Sequence, residues 1–172
     1  MPDEVFTRRL ILKPPEKDEL QDLRNLFSLE EVQAFLDLDQ MERCLGSVNG
    51  LLFEIILRQS ELVLGAAGLF PLNEVKDGWS CFYALNPRYW GNGYAIEAVK
   101  ALIRLAFETL DVSSMHVFID RRNERGWKVA ERVGMMYVGH VKHEKMKPNP
   151  MHFYMSRKDF EARWTLSHQD EC

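Results

Sequence analysis

Strand-like apolar runs alternate with helix-like apolar stripes along the chain. Phe6 to Leu12 reads as a first strand, stopped by Pro14-Pro15, since proline lacks a donor and disfavours helix in the residue before it. Asp18 is placed to cap a helix carrying Leu20, Leu23 and Phe27. Ser28-Leu-Glu-Glu31 has capping-box spacing for a second helix with Val32, Phe35 and Leu36. Leu51 to Leu57 and Leu62 to Phe70 read as strands joined by the polar turn Arg58-Gln-Ser-Glu61, and Pro71 to Gly78 leads to a strand at Trp79 to Leu85. Ala95, Ala98, Val99, Leu102, Ala106 and Leu110 then form an apolar stripe at helical spacing. Met115 to Ile119 is a strand, Glu124 to Val133 a short helix, and Gly134 its left-handed cap. Met135 to Val141 and Met151 to Met155 close the pattern around Lys147-Pro-Asn-Pro150. The order βααβββαβαββ fits an α+β fold with a sheet of mixed direction.

Composition narrows the function classes. The 172 residues suit one core of moderate size, and 46% hydrophobic with 28% charged is ordinary globular usage. A net charge of −4 argues against a nucleic-acid binder, which shows a basic face. Cys44, Cys81 and Cys172 are an odd count without metal or redox spacing, which suits a reducing cytoplasm and offers no metal site. The start lacks a basic and apolar leader, and no apolar run reaches membrane-spanning length.

The segment Arg88-Tyr89-Trp90-Gly91-Asn92-Gly93-Tyr94-Ala95 carries the chemistry. Two glycines at a strand-to-helix junction let backbone turn tightly and approach a ligand. The amides entering the helix have no intrahelical partner, and the helix dipole adds positive charge, so a phosphate or pyrophosphate is the natural guest. The nucleoside-triphosphate loop fails for lack of a Lys-Ser/Thr pair, and the dinucleotide fingerprint fails because Ile96 stands where a third glycine belongs. A pyrophosphate carried by another cofactor remains.

The string Tyr83-Ala-Leu-Asn-Pro-Arg-Tyr-Trp-Gly-Asn-Gly-Tyr-Ala-Ile-Glu-Ala98 resembles the acyl-coenzyme A signature of the GNAT superfamily of N-acetyltransferases, in the branch that acetylates ribosomal-protein N-termini. Thr7-Arg-Arg-Leu-Ile-Leu-Lys-Pro14, Glu54 to Leu57, Leu64 to Leu69, Asn123, Val129 to Gly134 and His152 to Phe160 are similar to other pieces of that branch, in the same order. The resemblance implies one domain over 1–172, with a core of about 6–160 and a tail of about 161–172. It implies a mostly antiparallel sheet of about seven strands, flanked by helices and splayed between the fourth strand (Trp79 to Leu85) and the fifth (Met115 to Ile119).

By the same resemblance, acetyl-CoA is the co-substrate, held by Leu85, Arg88, Trp90, Gly91, Asn92, Gly93, Tyr94, Ala95 and Asn123. A backbone N–H near Leu85 is the family-type oxyanion donor, and the acceptor is a primary amine on a small molecule or a protein N-terminus. From the residues themselves, His116 is a candidate base because an imidazole titrates near neutrality. Cys81 and Tyr83 share a strand face and are candidates for the acceptor pocket; Asn123 is equally a helix-cap residue. His140, His143, Glu144, His152 and Tyr154 cluster near the closing strands in no recognisable metal-ligand pattern. A monomer or homodimer is expected. The chain departs from the branch at Gly126, where ribosomal-type members carry a serine proposed as acid for the leaving thiolate. This leaves open a catalytically silent acyl-CoA-binding module, and it predicts that Gly126→Ser raises kcat without changing coenzyme affinity.

Overall fold

The computed structural model describes residues 3–33, 49–140 and 150–167. In chain order the elements are β1 (Val5–Phe6), β2 (Leu10–Lys13), α1 (Glu19–Phe27), α2 (Glu30–Gln33), β3 (Leu51–Leu57), β4 (Val63–Pro71), β5 (Gly78–Leu85), α3 (Tyr94–Arg104), β6 (Ser114–Ile119), α4 (Glu124–Arg132), β7 (Met136–His140), β8 (Met151–Ser156) and α5 (Arg157–Ser167). The strands form one sheet in the order β1-β2-β3-β4-β5-β6-β8-β7, antiparallel throughout except between β5 and β6. Among the described residues no helix is long and apolar enough to cross a membrane.

The eight strands among the described residues exceed the expected seven because Phe6 to Leu12 is not one strand: β1 and β2 form a hairpin there. Thr7 closes it twice: its amide donates to the Leu10 carbonyl at 2.9 Å, and its hydroxyl accepts the Leu10 amide at 2.9 Å. Two expected caps do not form. Ser28 has helical torsions (φ −85°, ψ −8°) and its hydroxyl donates back to the Asn25 carbonyl at 2.7 Å, closing α1 instead of opening α2. An N-cap needs non-helical torsions, which Ser28 does not have. Asp18 makes no capping bond, and the Glu19 carboxylate accepts the Glu16 amide instead at 2.7 Å. Phe35, Leu36, Cys44, Val141, His143, Glu144, most of the Lys147–Pro150 turn and Cys172 lie outside the described residues.

Helices cover both faces of the sheet. On one, Ala98, Val99 and Leu102 of α3, which lies against β2, β4 and β5, share a buried core with Leu12, Leu69, Met115, Val117, Phe153 and Met155. On the other, Leu23, Phe27 and Val32 of α1 and α2 pack on Leu52, Ala66, Phe70 and Phe82. Gly134 ends α4 at φ +93°, with the Met135 amide donating to the Ala130 carbonyl at 3.1 Å, the left-handed cap expected there. Residues 161–167, expected as a tail, continue α5, because Phe160 stacks on Phe107 at 4.6 Å and Trp164, one turn on, is buried beside it.

The splay is where the fold makes room. β5 pairs with β4 from Trp79 to Leu85, but with β6 only at Gly78, Trp79 and Ser80. The Ser80 hydroxyl, donating to the His116 carbonyl at 3.0 Å, ties the two strands at the limit of this ladder. Beyond it β6 follows β8 from Ser114 to Ile119 while β5 follows β4. The Asn86 amide donates to the Leu64 carbonyl at 2.8 Å. Strand alternation therefore turns the Leu85 and Tyr83 peptide groups to the opposite edge, into the gap.

Candidate functional site

At the open end of β5 the chain makes a short 3-10 turn at Pro87–Tyr89 and enters α3 through two left-handed glycines, Gly91 at φ +84° and Gly93 at φ +78°. Gly93 is the N-cap, and the Glu97 amide makes a helical bond to the Gly93 carbonyl at 3.2 Å. The amides of Tyr94, Ala95 and Ile96 precede that bond and form the helix's positive end. The Trp90 indole N–H donates to the Leu85 carbonyl at 3.1 Å, pinning loop to strand. The Asn92 side-chain amide donates to the Tyr89 and Trp90 carbonyls at 3.1 and 3.3 Å.

A clamp from the far end of the chain holds this loop. The Glu97 carboxylate accepts from the Thr7 hydroxyl at 2.6 Å and from the Arg9 backbone and side chain at 2.9 Å each. Arg9 also donates to the Asn92 carbonyl at 2.9 Å and lies over the Tyr94 ring. Burial pushes the Glu97 carboxyl up, but the bonds from Thr7 and Arg9 outweigh it and hold it below its ordinary value. An acid in a helix's first turn suits the dipole without any partner, so a specific bond to a residue 88 positions away leaves no local signal in the sequence.

Two cavities meet here. The larger, about 600 Å³, lies between the glycine loop and α4 and is walled by Arg122, Arg125, Lys128 and Arg132. The smaller, about 90 Å³, occupies the gap beside Tyr83, Ala84 and Leu85, closed by Asn123 and Gly126 of α4's first turn and by Glu31 and Val32 of α2. Leu85, Trp90, Ala95 and Asn123 line both. Helix-start amides facing a row of cations form a donor set for a polyanion, and the exposed peptide edge of β5 suits an amide-bearing chain.

α4 closes the gap through a linked pair of bonds. Asn123 caps it, Oδ1 accepting the Gly126 amide at 3.0 Å, while the Tyr83 hydroxyl crosses from β5 and donates to the Gly126 carbonyl at 2.6 Å. Burial, with the neighbouring Cys81 adding to it, pushes the Tyr83 phenol well above its ordinary value.

Of the expected site residues, the fold brings Tyr83, Leu85, Trp90, Gly91, Gly93, Tyr94, Ala95 and Asn123 to these cavities. Four stand elsewhere. Arg88 is exposed on the 3-10 turn, its amide held by Asn86. Asn92 braces the loop instead of lining it. Cys81 is buried in the core, its thiol pushed up to about 12 by burial. His116 is on the α1 face of the sheet, since its neighbours Met115 and Val117 fill the α3 face. Both its ring nitrogens are engaged, with Ser114 Oγ at 2.8 Å and His152 Nε2 at 2.8 Å, and burial together with His152 lowers its pKa to about 4. That geometry does not support the expected base. Tyr154 packs on the same imidazole, and among the described residues no group could hold a metal ion. The cationic wall was missed, although Arg122, Arg125, Lys128 and Arg132 recur at helical spacing.

Residues 9–136 match the family model described as an acetyltransferase (GNAT) domain. The uncharacterized N-acetyltransferase p20 of Bacillus licheniformis is 24% identical over 165 residues, covering 88% of this chain and 93% of its own length. A GNAT-family acetyltransferase from Bacillus anthracis superposes with TM-score 0.74 at 17% identity, over 90% of this chain and 99% of its own. Spermidine N-acetyltransferase from Vibrio cholerae, solved with CoA and spermine, superposes with TM-score 0.74 at 15% identity, again over 90% and 99%.

Proposed function

Since the chain belongs to the GNAT acetyltransferase family, we propose that it transfers the acetyl group of acetyl-CoA to a primary amine. The observation that carries this reading is the meeting, at the unpaired end of β5, of the α3 amides and the cationic α4 wall with the small cavity beside Leu85. Gly93, Tyr94 and Ala95 would hold the pyrophosphate, Arg122, Arg125, Lys128 and Arg132 would balance its charge, and Asn123 and the β5 edge would hold the pantetheine amides. Acetyl-CoA is consumed as a substrate and supplies an activated thioester. The chain's own part is to align the amine, place the Leu85 N–H at the developing oxyanion and exclude water from the apolar cavity.

The acceptor class follows from the same cavity. Glu31 brings a carboxylate to its α2 side, which favours an acceptor carrying positive charge, whether a polyamine or a protein N-terminus. Spermine, bound with CoA in the Vibrio cholerae complex, is an amine of that kind. We take residues 1–172 as one cytoplasmic domain, as the single sheet and the free, buried Cys81 favour.

The test is to incubate the protein with acetyl-CoA and a panel of primary amines while following free thiol, with coenzyme A affinity measured separately by calorimetry. Thiol release that depends on the amine supports transfer. Tight coenzyme binding without release on any amine would instead favour an acyl-CoA-binding module.

A further inference from the structure

The small cavity has a far end as well as an entrance, and we infer that Val32, at that end, limits the length of acyl group it takes; this rests on the acetyl-transfer reading above. Leu85, Trp90, Ala95, Asn123, Arg125 and Val129 border both cavities and so ring the passage between them. An acyl group on a coenzyme held in the larger cavity arrives through that ring. Among the described residues, Glu31, Val32, Tyr83, Ala84 and Gly126 border the small cavity alone and form its far end.

Of these five, only Val32 offers a branched apolar stop. Ala84 and Gly126 carry the least side chain. Tyr83 is fixed by its hydroxyl, which donates to the Gly126 carbonyl at 2.6 Å. Glu31 is exposed, and a carboxylate resists the dry contact an acyl chain makes, so it suits the entry of a cationic amine. Val32 is 6% exposed and shares the buried core of α1 and α2 with Phe27, Ala66 and Phe82. Being β-branched it has few rotamers, so its two methyls hold a fixed boundary.

Volume sets the limit. An apolar cavity of roughly 150 Å³ holds benzene, which is about 25 Å³ per carbon. On that scale the cavity's 90 Å³ takes about four non-hydrogen atoms. An acetyl group with the attacking nitrogen fills it. A butyryl group alone needs about 125 Å³. Cutting Val32 back to alanine removes two methyls and frees roughly 50 Å³, enough to admit it. The chemistry is the same for either donor. The C–N bond forms as the C–S bond breaks, and a proton from the amine replaces the acyl group on sulfur, leaving amide and thiol.

The test reads binding before turnover. Amide analogues of acetyl-CoA and butyryl-CoA, with N–H in place of the thioester sulfur, do not react with amines. They are titrated calorimetrically into the native protein, Val32→Ala and Val32→Ile. The native protein should hold the acetyl analogue at least about tenfold more tightly than the butyryl one, since a misfit methylene in an apolar pocket costs roughly 10–200-fold. Val32→Ala should bring the two affinities to within about threefold of each other, and Val32→Ile should widen the ratio beyond native. Damage to α2 alone would move both variants the same way, so opposite shifts mark a gauge. Turnover of the two thioesters on the best amine of the panel should follow the same order. A native protein that binds both analogues equally overturns the assignment, and so does a ratio that neither substitution moves. Should Val32→Ala fail to fold, the native ratio and its change in Val32→Ile still decide. A native protein that binds no coenzyme A sinks the transfer reading and this inference together, whereas coenzyme binding without discrimination sinks this inference alone.

Discussion

A β-carbon added to Gly126 would stand 2.5 Å from Nδ2 and 2.8 Å from Cγ of Asn123, so the asparagine side chain occupies the space a larger residue would need. This reverses the expectation drawn from the sequence for Gly126→Ser. The serine must push Asn123 off its cap and out of the cavity wall. Losing an N-cap costs about 1 kcal/mol of stability, and coenzyme A affinity should fall along with kcat instead of holding while kcat rises. Thermal melts and calorimetry with coenzyme A check both, and a serine variant with native affinity and faster turnover would contradict the geometry.

The glycine loop depends on torsion more than on space. A Cβ on Gly91 would meet nothing within 4 Å, and one on Gly93 only Arg9 at 3.4 Å. At φ +84° and +78°, however, valine is strained by roughly 1–3 kcal/mol, and relief comes from moving the loop. Gly91→Val and Gly93→Val should therefore stay folded and lose coenzyme A affinity at least tenfold by calorimetry. The loss should be equal for adenosine 3′,5′-bisphosphate, because the whole phosphate cradle shifts.

Glu97→Gln tests the clamp. It keeps the size but removes the charge that Arg9 and Thr7 hold. With Arg9 partly exposed, the expected cost is small, about 1 kcal/mol. Arg9 then steadies the Asn92 carbonyl less well, so coenzyme A should bind several-fold more weakly. Because the Glu97 pKa is lowered in the folded protein, this stabilisation exists above the unfolded carboxylate value and disappears as pH falls through the folded one. Native and Glu97→Gln melting temperatures should converge in acid.

Two buried groups pull stability in opposite directions with pH. Glu54 is 1% exposed, and burial, then the nearby Glu19 carboxyl, raise its pKa from 4.5 to about 7; Lys13 opposes and Asp22 adds to the shift. Between those values the folded state holds the extra proton, so stability falls as pH rises, by up to roughly 3 kcal/mol. His116, lowered from 6.5 to about 4 by burial and by His152, does the reverse. There the unfolded state holds the extra proton, so stability rises with pH across that window. The native profile should be nearly flat between about pH 4.5 and 6.5. Glu54→Gln should unmask a stability that climbs with pH, and His116→Asn one that declines. Chemical denaturation at a series of pH values measures all three slopes.

The sequence carries the strands, the α3 stripe and the glycine loop because each is written in local periodicity and turn chemistry. Gly134 is predicted as a left-handed cap and is one for the same reason. What the sequence does not carry is contact across the chain. Thr7 splits the first strand by closing a turn on Leu10, and Arg9 then reaches Glu97, a pairing with no periodic trace. Tyr83 and Cys81 share a strand face and look alike as pocket residues, and both follow the end of the β5–β6 ladder at Ser80, yet Cys81 is buried in the core and only Tyr83 of the two lines the cavity. The face of His116 follows from its neighbours Met115 and Val117, whose burial in the core on the α3 side of the sheet depends on how β6 packs and not on residue type.

The three-residue parallel ladder between β5 and β6 has a mechanical meaning. β1 through β5 form one plate and β6, β8 and β7 another, and beyond Ser80 the plates are joined across the gap by α3, α4 and the Tyr83–Gly126 bond. A chain of amides lying in the gap would supply the rungs that the sheet omits, acting as a removable strand. The loaded and empty proteins would then differ in stiffness more than in shape, with the seam as the part that tightens. Amide exchange along Cys81 to Leu85 is where that tightening would register.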